Sequence, residues 1–116
     1  VTQALIIEPD GTIDVRSVIS DAWTRATVIH DLVGGYFTIV TGPGWHIYFN
    51  EDGHQMGLPN NAVATRLAAQ FHRFIPDDEL VGTVVVFGNA RNDGDADVPP
   101  QVVALARRLA ADVHTR

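Results

Sequence analysis

The stretch Thr83-Val84-Val85-Val86-Phe87 constrains the fold more than any other, because it is apolar at both alternating sets of positions. Successive side chains of a β-strand point to opposite faces, so Val84 and Val86 address one side while Val85 and Phe87 address the other. A strand of this kind predicts a central position in a sheet, covered on both sides by helices or by another subunit. The rest of the chain has to supply the strands beside it and the layers over it.

Turn chemistry and periodicity locate those elements. Gln3–Glu8 reads as a strand, followed by the turn Pro9-Asp10-Gly11 and a second strand over Thr12–Val15; Asp-Gly between β-prone runs signals a hairpin. Ser20 is the expected N-cap of a helix with Asp21 in its first turn, and Ala22, Ala26, Ile29 and Val33 form its buried stripe. Gly34-Gly35 ends that helix, since glycine tolerates the left-handed cap conformation. Tyr36–Thr41 and Trp45–Asn50 are strands joined through Gly42-Pro43-Gly44, and His54–Leu58 is a short strand or extended segment stopped by Pro59. Asn60 or Asn61 caps a second helix carrying Val63, Leu67, Phe71 and Phe74 inward, with Pro76 as its end. Gly88 to Asp97 is a polar loop, and Pro99-Pro100 opens a last helix with the stripe Val102, Leu105, Leu109 and Val113. The order β-β-α-β-β-(β)-α-β-α, rich in hairpins, predicts an α+β fold: a mixed, mostly antiparallel sheet of about five strands with three helices.

At 116 residues the chain has room for one domain, spanning residues 1–116, and its 46% hydrophobic content is enough for a core without staples. Cysteine is absent, which removes disulfides, thiolate metal sites and cysteine nucleophiles and suits a reducing compartment. With no basic leader and no apolar run near the ~18 residues that span a bilayer, the expectation is a cytoplasmic protein without a membrane partner. Fourteen acids face eight bases, all arginine, for a net charge of −6. That balance argues against wrapping a phosphate backbone, and the absence of lysine excludes Schiff-base chemistry and a P-loop.

No catalytic constellation emerges. The five histidines lack metal-ligand spacing, the acidic loop around Asn92–Asp97 fails the pattern of a calcium loop because, counted from Asp93, its sixth and twelfth positions are Val98 and Ala104, and no GxSxG or GxGxxG occurs. Neither a metal nor a cofactor is expected. Three surfaces remain. Alternation in Trp45–Asn50 puts Trp45, Ile47 and Phe49 toward a core and His46, Tyr48 and Asn50 on a wetter face, where His46 and Tyr48 with Tyr36 on a neighbouring strand form an aromatic patch suited to a partner. The hairpin groups His46, Asn50, Glu51 and His54 form a candidate ligand or hydrolase site if they converge. The stripe Arg66, Gln70 and Arg73 on the second helix is a candidate anion or nucleic-acid surface.

Several stretches in this order resemble a known family: Leu5–Gly11, Leu32–Phe37, Asn50–Gly53, Gly57–Ala62, Gly82–Gly88 and Asp97–Pro99. Together they are similar to a small uncharacterised domain family, a domain of unknown function found in bacteria, bacteriophages and mobile elements. The resemblance implies a phage- or plasmid-type accessory protein, here in a GC-rich, actinobacterial setting, and it carries over no site residues. The leading expectation is a non-enzymatic interaction module that binds a protein partner or a second copy of itself as a homodimer. Ligand binding or hydrolysis at the hairpin, and nucleic-acid binding through the arginine stripe, are the alternatives.

Overall fold

The computed structural model describes residues 1–19, 21–70, 79–91 and 94–114. Strands β1 (Thr2–Ile7) and β2 (Ile13–Val18) form the expected hairpin, closed where Gly11 N–H donates to Glu8 O and Glu8 N–H to Thr12 O. Helix α1 (Ala22–Val33) follows, then the hairpin β3 (Phe37–Thr41) and β4 (Trp45–Asn50). Helix α2 (Ala62–Ala68), strand β5 (Val84–Asn89), the two-residue strand β6 (Asp95–Ala96) and helix α3 (Pro100–His114) complete the order. The sheet runs β2-β1-β5-β4-β3, with β6 continuing the β1 side of β5, and every pairing is antiparallel.

The doubly apolar strand is central, as its composition requires. Val84, Val85, Val86 and Phe87 are each 0% exposed, and both coverings come from helices of the same chain. Val84 and Val86 join Leu5, Ile7 and Ile47 beneath α2 and α3. Val85 and Phe87 join Ala4 and Ile6 beneath α1, through Ile29 and Val33. Burial of a side chain such as Phe87 contributes about 2–3 kcal/mol.

Helix ends follow local chemistry, with one shift. Ser20 lies outside the described residues; the N-cap is Asp21, whose carboxylate accepts from Thr24 N–H at 3.0 Å, so the acid expected inside the first turn stands at the cap itself. At the other end Gly34 takes φ 85° and donates its N–H to His30 O. Asn61 caps α2: its Oδ1 accepts from Ala64 N–H, while Nδ2 donates to Ile7 O and Gly82 O at 3.0 and 2.9 Å. One fully buried amide thus joins a helix start to the end of β1 and the approach to β5. Phe71, Arg73, Phe74 and Pro76, expected on this helix or at its end, lie outside the described residues, as does the Asn92-Asp93 pair of the polar loop.

Two expectations change. His54–Leu58 is not a strand but part of a run of turns, because its backbone groups find partners locally: Met56 N–H donates to Asp52 O, Gly57 N–H to His54 O and Leu58 N–H to Gly53 O. The additional strand is instead β6, inside the segment that reads as a loop. It reaches β5 because Gly88 has no side chain; a Cβ there would collide with the carbonyl oxygen of Asp97. On α3 the deepest line is Val102, Ala106 and Ala110, while Leu105, Leu109 and Val113 pack at its margin, so the small residues let the helix approach closely.

Candidate functional site

Strand alternation holds along β4, but its polar face is not wet. His46 and Asn50 are each 4% exposed, and Tyr48 is half-buried. Helix α1 lies over them, and the rings form one aromatic cluster: Tyr48 meets Phe37 and Phe87 edge-on at 5.2 and 5.9 Å, and His46 stacks on Phe87 at 6.2 Å. Of the three residues expected to form a partner patch, only Tyr36 is largely exposed, at 74%. The other two belong to the core under α1.

Their polar atoms are satisfied by a residue that the sequence did not single out. Asp95 on β6 accepts from His46 Nε2 at 2.5 Å and from Tyr48 Oη at 2.8 Å through Oδ1, and from Arg25 Nε of α1 at 2.7 Å through Oδ2. Its carboxylate side chain is 7% exposed and that of Arg25 14%. Burial pushes the Asp95 carboxyl upward, but hydrogen bonds from His46 and Tyr48 and the His46 and Arg25 charges outweigh it, leaving the group below the ordinary aspartate value. Burial, and then the bond to Asp95, holds the Tyr48 phenol well above its ordinary value, so it remains a donor. His46 Nδ1 lies 2.6 Å from Asn89 Oδ1, an amide oriented by the bond from its Nδ2 to Gly42 O. Both ring nitrogens therefore have a polar partner within hydrogen-bond distance.

This network ties four elements together and uses its polar atoms internally. A hollow of about 320 Å³ lies beside it, lined in part by Arg25, Phe37, Tyr48 and Asp95, and one of about 250 Å³ lies between Ile39, Thr41 and His46.

The remaining candidates are scattered. His46 and Asn50 stand four residues apart on β4, about 13 Å at strand rise. Asn50 donates to Val33 O and accepts from Asp52 N–H, Glu51 is exposed, and His54 Nε2 bonds to Glu79 O. These four side chains do not converge. Arg66 pairs with Asp112 of α3 at 2.8 Å, Gln70 is exposed, and Arg73 lies outside the described residues. Among the described residues no group of three or more His, Cys, Asp or Glu side chains could hold a metal ion, and no helix is long and apolar enough to cross a membrane.

The exposed aromatic surface lies along the outer side of α1. Trp23 is 83% exposed, and with Ala26, Thr27, His30 and Phe37 it lines a groove of about 330 Å³ between α1 and the edge strand β3. Tyr36 closes the far end, meeting His30 edge-on at 5.7 Å. Trp23, Thr27 and His30 sit at spacings of four and three, one row on the helix face beside the buried stripe. The signal in the sequence was Trp23 itself, a large aromatic outside the buried stripe of an amphipathic helix.

A family model described as a domain of unknown function, DUF3846, matches residues 2–111. The chain belongs to this family. No curated protein and no solved structure matches it.

Proposed function

We propose that this member of the DUF3846 family is a protein-docking module, and that the groove between α1 and β3 is its binding surface. The observation that carries the reading is the exposure of Trp23 and Tyr36 at the two ends of an apolar groove. Large aromatic side chains are the usual anchors of protein interfaces. Alongside them runs an edge strand, Phe37-Thr38-Ile39-Val40-Thr41, without charge or proline. Edges are ordinarily blunted by charge, as the opposite edge strand β2 is by the ion pair of Asp14 with Arg16. The partner is therefore a chain that presents an extended, uncharged segment to β3 and an apolar surface to Trp23.

The setting is that of a cytoplasmic accessory protein of the phage or plasmid type. The cysteine-free composition supports the compartment, and the resemblance noted for the sequence supports the rest.

Site-specific photocrosslinking in the native host tests the reading. A benzoylphenylalanine in place of Tyr36 is expected to give a discrete protein adduct that Trp23→Ala abolishes. The same group in place of Val15, on the opposite edge, is expected to give none. Equal labelling from both edges, or none from position 36, would remove the proposal.

A further inference from the structure

The structure assigns that partner: we infer that a second copy of this chain docks on the surface, the two β3 strands pairing antiparallel about a two-fold axis at Ile39. The inference rests on the docking reading above and adds the identity of the occupant.

Three observations converge on it. β3 has five residues, so antiparallel pairing of two copies centred on Ile39 sets Phe37 opposite Thr41 and Thr38 opposite Val40, with no residue left over. No charge occurs on this strand, so no like charges meet across the axis even though each copy carries −6. Ile39 is 44% exposed on the α1 side of the sheet, where it would lie against its own counterpart. The α1 helices of the two copies would then flank the axis, each bringing Trp23 and Tyr36 toward the other.

The exposed area is of the right size. Trp23 and Tyr36, at 83% and 74% exposure, each leave on the order of 150 Å² of ring surface uncovered. The four rings of a pair supply about half of the ~1,200 Å² that a stable interface buries, and the two strand edges with Ile39 add to it. The result is a single sheet running through both copies, which removes the unpaired N–H and C=O groups of two uncharged edges.

The absence of cysteine makes the geometry directly testable. Residues facing each other across an antiparallel pair have Cα atoms about 4.5–5.5 Å apart, within the range a disulfide bridges. Ile39→Cys, purified reduced and exposed to mild oxidant at micromolar concentration, is expected to cross-link to a covalent dimer well before Val15→Cys does. Sedimentation equilibrium of the unmodified chain is expected to show a dimer that tightens with added salt, since screening removes the repulsion between two −6 chains. Ile39→Lys and Trp23→Ala should each weaken it by roughly 30-fold, with far-UV circular dichroism unchanged. If Ile39→Lys fails to fold, Trp23→Ala decides.

A chain that remains monomeric, or a dimer that is indifferent to both substitutions, overturns the inference. A monomer whose position 36 still forms a Trp23-dependent adduct with another protein overturns the dimer and leaves the docking surface standing. A monomer with no adduct removes both.

Discussion

Asn61 offers a test in which local chemistry and tertiary structure predict opposite results. As a helix cap, aspartate is as good as asparagine, because either side-chain oxygen can accept from Ala64 N–H. Judged by capping alone, Asn61→Asp is neutral and Asn61→Ala costs about 1 kcal/mol. The side chain is 0% exposed, however, and its Nδ2 donates to Ile7 O and Gly82 O. Asn61→Ala leaves both carbonyls without that donor, adding about 1–3 kcal/mol, so the total loss should be about 2–4 kcal/mol. Asn61→Asp keeps the cap but points a carboxylate oxygen at the same two carbonyls, where it must remain buried and unpaired or take up a proton. Its loss should exceed that of alanine, at about 4 kcal/mol or more. A domain of this size has roughly 6–15 kcal/mol in total, so both losses are measurable by urea denaturation at neutral pH. An Asn61→Asp variant within about 0.5 kcal/mol of the parent would show that the amide's second role is not energetically real.

The Asp95 network predicts both a magnitude and a pH dependence. Asp95→Asn removes the buried carboxylate that accepts from Arg25, His46 and Tyr48 and should cost about 3 kcal/mol at neutral pH. Because the folded carboxyl sits below its unfolded value of about 3.9, its contribution is complete above that pH and is lost as pH falls through the folded value. The gap between parent and variant should therefore narrow as urea denaturation is repeated below about pH 4; a gap that widens there would contradict the assignment. Gly88→Ala places a Cβ against the Asp97 carbonyl and should cost about 1–3 kcal/mol or detach β6, read as faster amide exchange at Asp95 and Ala96. Unchanged stability and exchange would mean that the close approach there is not required.

The parts of the fold legible in the sequence are those set by local rules. Val84–Phe87 announces a strand buried on both faces, Asp10-Gly11 a hairpin, Gly34-Gly35 a helix end and the pair Asn60-Asn61 a helix start; each is a statement about one element and its own backbone. What could not be read depends on where distant elements land. His46, Tyr48 and Asn50 alternate with apolar residues and so look like a solvated face, but α1 lies across them, and their polar tips are met by a carboxylate 49 and 47 residues away from His46 and Tyr48. The alternation was right about direction and silent about cover. β6 is only two residues long within an Asn-Asp-Gly-Asp run, and it pairs because Gly88 leaves room rather than because Asp95 and Ala96 favour a strand. On α3, a reading that looks for large apolar side chains finds Leu105 and Leu109 and passes over Ala106 and Ala110, whose small size lets the helix come closest.

The position of Arg25 connects the buried network to the exposed groove. It lies two residues beyond Trp23 on α1, and its bond to Asp95 fixes the N-terminal half of that helix to β6, while Ile29 and Val33 seat the C-terminal half on the sheet. A helix held at two points along its length has little freedom to roll about its axis. The row Trp23, Thr27 and His30 therefore keeps its place over the β3 edge. Rigid presentation lowers the ordering cost that a docking surface must offset on binding. The His46–Tyr48–Asp95–Arg25 network pairs polar groups under α1 with one another, and the groove on the helix's outer side is mainly apolar. If the groove docks a partner as proposed, Asp95→Asn should weaken the Trp23-dependent adduct formed from position 36 even though Asp95 is itself buried; an adduct of unchanged yield would separate the network from the surface.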